Sequence, residues 1–434
     1  AGATSSIGGG GEGGDCWVLV WLCLVASVRK RRYDARARAM MRKVARLLGV
    51  QWTWVARAEA CLSQELALVH GSSKAEDKKG GTNYKRYAAI GGAAVLGGAV
   101  IGVTGGLAAP AVAAGLGVIT GGGVVAVASF GVVAGVFGAT GAGMVGYRMV
   151  RRTADLEDFA FDLVDSSDGL PVTIGVAGWL LDESDSCWSV WDVAMRDVAS
   201  DGGETFALRW ESHELRRIGK VLSEYIQEQA KSFGVTAVGN AVIGTAFGLL
   251  NLPRAILGLT TMIDNTWALC QLRSDRAGAH LASLLADRIQ GDRPVTLVGY
   301  GMGARLVIQC LLALVDMGER GKGIVEAAVC LGTPFEAKGK TWDRASLACS
   351  HRLVNGYCTS DLILGIVFRA KNWSYSVAGL RAVETELPGG NQVLENLNLT
   401  SFVNGHWDYR EKLPVILERV GLSSGVSTLP AQTP

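Results

Sequence analysis

The sequence predicts an α/β protein built on an α/β-hydrolase-like, doubly wound sheet. Short, nearly continuous apolar segments alternate with longer amphipathic helical patterns over residues 156–423, which is typical of a parallel sheet covered by helices on both faces. Residues 295–305, VTLVGYGMGAR, add a strand, a tight turn of small residues and the start of a helix. This is the local structure of the nucleophile elbow of α/β-hydrolases.

Composition narrows the possible function classes. The 434 residues carry a formal net charge of +2, so nucleic acid is not expected as a partner. The nine cysteines form no Cys-x-x-Cys pair and no Cys/His cluster with zinc spacing, which argues against a disulfide framework or a metal site. No cofactor is expected. Hydrophobic residues reach 49% and glycines number 58; both excesses come mainly from one segment, residues 87–147.

The first 86 residues are predicted to be a tail followed by helices. Residues 1–28 combine a flexible Gly/Ser-rich tail with a short apolar segment, 16–28, which is shorter than the about 20 residues of a bilayer span. An interfacial or a buried helix is therefore expected there. Residues 29–86 form a basic amphipathic helical region, with arginines opposite the apolar face, and a polar linker. This region could bind an anionic membrane surface or pack on its neighbours as a solvated helix.

Residues 87–147 contain no charged side chain. Since one bilayer span needs about 20 apolar residues, this segment has the length of two spans and a turn. Glycines recur four residues apart, as at Gly98 and Gly102, and this spacing lets two helices approach closely in lipid. We therefore expect a Gly-rich transmembrane helical hairpin, with the membrane lipid bilayer as its partner.

The charges around this segment predict its orientation. Basic residues flank it on both sides, Lys85 and Arg86 before it and Arg148 and Arg151 after it. Positively charged flanks favour the cytosolic side of a membrane. Because two spans return the chain to its starting side, both flanks and the hydrolase-like domain are expected in the cytosol. The expected localisation is an integral, multi-pass membrane protein, and the sequence does not indicate the organelle.

The hydrolase-like domain is assigned to residues 156–423, with 424–434 as a tail. An apolar stretch, 233–263, interrupts it and is expected to form helices packed against the domain or a membrane surface. The patterns predict strands at 172–178, 205–210, 294–299, 324–332, 351–357 and 375–380, and helices at 184–199, 214–231, 264–290 and 414–420.

The elbow segment has the outer glycines of the motif Gly-x-Ser-x-Gly, Gly299 and Gly303, but Gly301 occupies the position of the nucleophile serine. In hydrolases of this kind an acid and then a histidine follow along the chain. Asp361 comes just after a predicted strand, and His406 lies in a turn after a strand-like run. Their expected roles are the orienting carboxylate and the general base.

An oxyanion hole needs backbone N–H groups beside the nucleophile position. Met302, directly after the elbow, supplies one candidate. Gly178 or Trp179, directly after the first predicted strand of the domain, supplies the other.

These motifs resemble the transmembrane and coiled-coil domain-containing protein 4 family over roughly residues 84–417. The resemblance implies a membrane-anchored α/β-hydrolase-like protein of lipase or esterase type, with a lipid or acyl ester as ligand. Relatives carry a serine between the elbow glycines, so Gly301 implies impaired catalysis and a role in binding or trafficking. The matching stretches are Ala177-Gly-Trp-Leu180, Leu208-Arg-Trp-Glu211, Arg293-Pro-Val-Thr-Leu-Val-Gly299, Gly303-Ala-Arg305, Leu331-Gly-Thr-Pro334, Arg352-Leu-Val-Asn-Gly-Tyr357 with Asp361, Ala378-Gly-Leu380 and Gly405-His406.

Two other hypotheses stay open. The chain could be an active acyl-ester or lipid hydrolase in which Asp361 and His406 activate a water at the Gly301 site. Alternatively, Gly299-x-Gly301-x-x-Ala304 fits the dinucleotide fingerprint G-x-G-x-x-[GA] between a strand and a helix. That fingerprint requires an acidic residue at the end of the next strand, and the sequence there is Leu-Gly-Thr-Pro at 331–334.

Overall fold

The fold is described from a computed structural model of the chain. It describes residues 12–30, 32–76, 156, 158–167, 169–195, 202–232, 253–361, 363–365 and 376–422. The predicted hairpin at 87–147, residues 233–252 of the apolar insertion, and the tails at 1–11 and 424–434 lie outside this description. Within it, none of the helices combines the length and the apolar character needed to span a bilayer.

A seven-stranded sheet forms the centre of the fold, in the order β1-β3-β2-β4-β5-β6-β7. The mixed α/β fold with a mostly parallel sheet is thereby confirmed. Only β1 runs antiparallel, along β3 at the sheet edge, whereas all other neighbouring strands are parallel. The strands are β1 Phe159–Ser166, β2 Val172–Val176, β3 Glu204–Trp210, β4 Val295–Tyr300, β5 Val325–Leu331, β6 Cys349–Tyr357 and β7 Leu394–Asn398.

Helices cover the sheet and extend the fold on its N-terminal side. The described helices are α1 Glu12–Arg29, α2 Ala35–Leu47, α3 Trp52–Glu76, α4 Cys187–Met195, α5 Ser212–Ser232, α6 Pro253–Ala286, α7 Met302–Asp316, α8 Gly339–Ser346, α9 Asp408–Glu411 and α10 Leu413–Val420. Helix α7 packs on β2, β4 and β5, and the long α6 packs along α7. Helix α6 begins at Pro253, a residue favoured at the first helical position, and so extends into the predicted apolar insertion.

Three strand predictions differ from the structure. The run at 375–380 was expected to be a strand, but Ala378–Leu380 forms a 3-10 turn. The backbone N–H groups of Ala378 and Gly379 donate to carbonyls of the loop after β5, at Phe335 and Thr333, so this segment pairs with a loop instead of the sheet.

Conversely, the two edge strands β1 and β7 were not predicted. In β1, residues 162–166 are partly or fully exposed and include Asp162 and Asp165. In β7, every residue is partly or fully exposed, and Glu395, Asn396 and Asn398 interrupt the apolar run.

Helices α1–α3 form a separate apolar cluster that includes Trp17, Trp21 and Tyr33. This N-terminal unit contacts the domain through α2, which packs on β5 and β6. The contact is ionic. Arg38 donates to both carboxylate oxygens of Glu59 on α3, at 2.8 and 2.9 Å, and to Glu326 on β5 at 2.5 Å. Arg42 also donates to Glu326, at 2.6 Å.

This packing corrects the predicted orientation of α2 in part. The arginines were expected on the face opposite the apolar residues. Met41 is buried, and Val44 and Leu48 pack beside it as expected, but Arg38 is buried against the sheet, while Met40 and Leu47 are 61% and 84% exposed. The physical reason is Glu326, a buried carboxylate on β5 that needs positive partners and that lies far from α2 along the chain.

Candidate active site

The elbow is a sharp turn between β4 and α7. Gly301 has φ 54° and ψ −126°, a conformation that residues with a side chain rarely adopt and that glycine tolerates. Its backbone N–H donates to the Leu331 carbonyl at the end of β5, at 2.9 Å. The sequence thus builds the strained turn that normally presents a nucleophile, but here the turn presents no side chain.

The glycines around Gly301 are required by close approach of the backbone. A Cβ atom on Gly303 would lie 2.2 Å from the Val176 carbonyl oxygen, and one on Gly299 would lie 2.7 Å from backbone atoms of Gly303. A Cβ on Gly178 would lie 2.2 Å from the Tyr300 carbonyl oxygen. The loop after β2 therefore lies directly against the elbow, which is where the predicted oxyanion donors were placed.

Asp361 and His406 meet beside this turn. The His406 Nδ1 atom lies 2.7 Å from Asp361 Oδ2, and each residue is 1% exposed. Asp361 Oδ1 accepts the Leu364 backbone N–H at 3.0 Å, which holds the carboxylate in place. Since a carboxylate beside Nδ1 favours the tautomer with the proton on that atom, Nε2 is left as the basic nitrogen.

The basic nitrogen faces Gly301. A Cβ atom built on Gly301 would lie 3.4 Å from His406 Nε2. Parallel topology explains the meeting, because the loops after β4, β6 and β7 all leave the same edge of the sheet. The structure therefore brings together the three positions Gly301, Asp361 and His406, which are separated by up to 105 positions in the sequence.

The indole of Trp179 occupies the space in front of Gly301. Its Cζ3 atom would lie 2.7 Å from a Cβ on Gly301. The ring packs against the His406 imidazole with centroids 4.7 Å apart, stacks on Trp407 at 5.8 Å, and meets the Tyr300 ring edge-on at 4.7 Å. Trp179 is 1% exposed, and its indole N–H has no hydrogen-bond partner among the described residues.

Sequence reasoning placed Trp179 in the site only as a backbone donor. The sequence did not predict that its side chain would be part of the site, because an apolar residue directly after a strand normally belongs to the hydrophobic core. An ion pair fixes the loop that carries it: Arg410, on α9 just after His406, donates to Asp185 Oδ1 at 2.7 Å. Burial opposes ionisation of Asp185, but the hydrogen bonds from Arg410 and the Leu181 N–H lower the pKa of that carboxyl.

No nearby thiol or phenol compensates for the absent serine. Burial raises the pKa of Cys310 on α7 and of Cys358 near Asp361, so both thiols stay protonated and are poor nucleophiles. Burial also raises the pKa of Tyr409, whose ring lies edge-on to His406 at 6.2 Å. The described site therefore contains a base and an orienting acid, and none of these groups is an activated nucleophile.

Comparison with known proteins places the chain in a family. The sequence profile of a family described as "Protein of unknown function (DUF726)" matches residues 82–423. No solved structure matches the chain.

Three relatives illustrate the range of the similarity. The chain is 33% identical over 424 residues to the "Transmembrane and coiled-coil domain-containing protein STS1" of Oryza sativa subsp. japonica, covering 91% of this chain and 62% of that protein. It is 34% identical to the "Uncharacterized membrane protein F35D11.3" of Caenorhabditis elegans, covering 93% of this chain and 66% of that protein. It is 30% identical over 288 residues to the "Probable lipase MIL1" of Saccharomyces cerevisiae, covering 66% of this chain and 26% of that protein. The chain thus spans about two thirds of the rice and nematode relatives.

Proposed function

The chain belongs to the DUF726 family. Because it is also similar to proteins named as membrane proteins and to one named a probable lipase, we propose that it is a membrane-anchored α/β-hydrolase-fold protein that no longer performs serine hydrolysis. Its site binds a lipid or an acyl ester, and the protein has a role in binding or trafficking instead of catalysis. The finer assignment to the transmembrane and coiled-coil domain-containing protein 4 family, the transmembrane hairpin at 87–147 and the cytosolic placement of the domain are parts of this proposal.

One observation carries the proposal: His406 Nε2 faces Gly301 at the position where a serine Cβ would stand, 3.4 Å away. In this arrangement Asp361 orients His406, and His406 would deprotonate a serine hydroxyl. Without that hydroxyl the base has no nucleophile to activate. In a protease triad, loss of the serine lowers kcat by about 10⁶-fold, while oxyanion stabilisation and binding alone retain about 10³–10⁴-fold over water.

Trp179 supports a binding role over a residual reaction. A water attacking from the Gly301 side would need the volume that the indole fills, since the ring already lies 2.7 Å from the Cβ position. Trp179, Trp407 and Tyr300 form a buried apolar cluster at this position, so the proposed acyl ligand would pack against these rings only after the Trp179 indole is displaced. The backbone N–H groups of Met302 and Trp179 are the proposed donors to the ester carbonyl, and Gly178 brings their loop into contact with the elbow.

A serine-directed fluorophosphonate probe tests this proposal. We expect no labelling of the wild-type chain at position 301. The variant Gly301→Ser is expected to label weakly or not at all, because its side chain meets the indole and because the backbone there strains a residue with a Cβ by about 1–3 kcal/mol. The double variant Gly301→Ser/Trp179→Ala removes the obstruction and is expected to label through His406.

Matched controls make the result specific. Gly301→Ala/Trp179→Ala creates the same cavity without a hydroxyl and should not label. Adding His406→Ala to the serine double variant should abolish labelling. A folded serine double variant that stays unlabelled would show that Asp361 and His406 are not aligned for catalysis. The proposal that this site is a serine-hydrolase site without its serine would then be wrong.

The intact His406–Asp361 pair favours a second candidate, an active hydrolase that uses water. This candidate is tested by the turnover of a short-chain p-nitrophenyl ester by the wild-type chain and by His406→Ala. We expect equal and near-background rates, because the Trp179 indole lies against the Gly301 position from which a water would attack. A wild-type rate that falls at least about 100-fold in His406→Ala, the usual contribution of a general base, would favour the active hydrolase instead.

A further inference from the structure

The outer face of α2 combines basic and apolar side chains in an unusual way. Arg36, Met40, Lys43 and Leu47 recur at intervals of three and four residues and are all exposed, so they form one continuous stripe along the helix. The opposite face of α2 packs on β5 and β6. The stripe therefore points away from the domain.

Basic side chains predominate on α2 and the segments that flank it. Residues 29–57 contain ten Lys or Arg and one Asp, against a net charge of +2 for the whole chain. The Asp is paired with Arg36, and Glu59 is buried with Arg38. Within the described part of residues 16–64, every exposed charged side chain is basic: Lys30, Arg32, Arg36, Lys43, Arg46 and Arg57.

Large apolar side chains stand among these charges. Leu19 and Leu22 on α1, Met40 and Leu47 on α2, and Trp54 on α3 are all exposed. Helix α2 thus exposes Met40 and Leu47 and buries Arg38, although burial of a charged group is costly unless the group is paired. Apolar side chains that project from a cationic surface are typical of proteins that insert into the interface of an anionic membrane, whereas a nucleic-acid surface would give Met40 and Leu47 nothing apolar to contact.

We propose that the N-terminal unit docks on an anionic lipid surface through α2, with Met40 and Leu47 inserted between headgroups and Lys43 and Arg46 bound to them. This contact is separate from the hairpin anchor and from the Gly301 site. It belongs to the N-terminal edge of the sheet, since Glu326 is the second residue of β5, while Gly301, Asp361 and His406 lie beyond the opposite ends of the strands.

A fluorescent probe placed on α2 tests the proposal in the full chain. Cys16, Cys23 and Cys61 are replaced by serine, which leaves the six buried cysteines, and Met40→Cys is labelled with an environment-sensitive dye. The protein is reconstituted in vesicles of phosphatidylcholine alone or of phosphatidylcholine with phosphatidylserine, each with or without a doxyl-labelled lipid quencher. The matched control is Val193→Cys on α4, because Val193 is also 61% exposed.

We expect blue-shifted, doxyl-quenched emission from position 40 in the phosphatidylserine vesicles, weaker quenching in phosphatidylcholine, and no quenching at position 193. The double variant Lys43→Gln/Arg46→Gln should lower the ratio of docked to undocked probe about five-fold for each charge removed. Raised salt should act in the same direction.

Two results would overturn the docking proposal. Emission at position 40 that is water-like in both kinds of vesicle would show that α2 does not touch lipid. Blue-shifted emission at position 40 that the doxyl-labelled lipid does not quench would show that another protein segment or a second copy covers the stripe. Neither result bears on the Gly301 site, whose test is covalent labelling by the fluorophosphonate.

Discussion

At the scale of single residues, the elbow owes its shape to glycines that leave no room for a methyl group. Gly303 lies in the first turn of α7, where alanine would otherwise be favoured over glycine by about 1 kcal/mol. The Val176 carbonyl, 2.2 Å from the position of a Cβ, reverses that preference, because β2 and α7 would have to separate.

This contact predicts the effect of Gly303→Ala. We expect the free energy of unfolding to fall by about 1–3 kcal/mol, the usual cost of overpacking, as measured by urea denaturation. Gly405→Ala is the control, since a Cβ on Gly405 would meet no atom within 4 Å. Equal stability of the two variants would mean that the elbow can relax, and the steric account of the outer glycines would be wrong.

Some residues of the site could be predicted from the sequence, and one could not. Gly301, Asp361 and His406 were found because strand ends and chain order constrain them. The indole of Trp179 was not, because it packs on Tyr300, His406 and Trp407, which lie at least 121 positions away along the chain. Such contacts leave no trace in local periodicity.

At the scale of secondary-structure elements, the strands that were predicted are those buried on both faces. Every residue of β4 and β5 is buried, and their sequences are accordingly continuous apolar runs. The two edge strands, β1 and β7, were missed because they are partly exposed and polar residues interrupt their apolar runs. The burial of Arg38 on α2 was missed for a different reason: the helix pattern does not reveal its neighbour Glu326, 288 positions from Arg38.

The contact between α2 and β5 predicts a pH dependence. Burial alone would raise the pKa of Glu326, but Arg38 and Arg42 lower it to about 2, from an ordinary value of 4.5. A carboxyl with a depressed folded-state pKa stabilises the fold above its unfolded pKa, and this stabilisation is lost as the pH falls toward the folded pKa. The contribution of Glu326, about 3 kcal/mol, should therefore disappear between pH 4.5 and pH 2.

The measurement is urea unfolding of the wild-type chain and of Glu326→Gln from pH 7 downward. The variant should be less stable by about 3–5 kcal/mol at pH 7, since it leaves Arg38 buried with one partner fewer, and the difference should shrink as the acid is titrated. Burial and Arg42 lower the pKa of His351 to about 4, whereas Glu326 raises it, so both proteins carry His351→Gln to remove this titration from the comparison. A difference that does not change with pH would exclude ionic stabilisation by Glu326.

At the scale of the whole molecule, the parallel sheet gives the protein two distinct ends. The carboxyl ends of the strands hold Gly301, His406 and Trp179, and the amino ends hold the buried ion cluster and the N-terminal unit. Seven residues of β5 separate the two ends by about 23 Å at 3.3 Å per residue. The ion cluster joins the N-terminal unit to the amino ends of the strands, so this unit and the Gly301 site lie at opposite ends of the sheet.

This separation decides from which side a ligand can arrive. If α2 rests on a bilayer, as proposed, the buried Trp179 indole lies at the end of the sheet that is farther from that bilayer. An acyl chain of that leaflet would then have to leave the bilayer before it could reach His406.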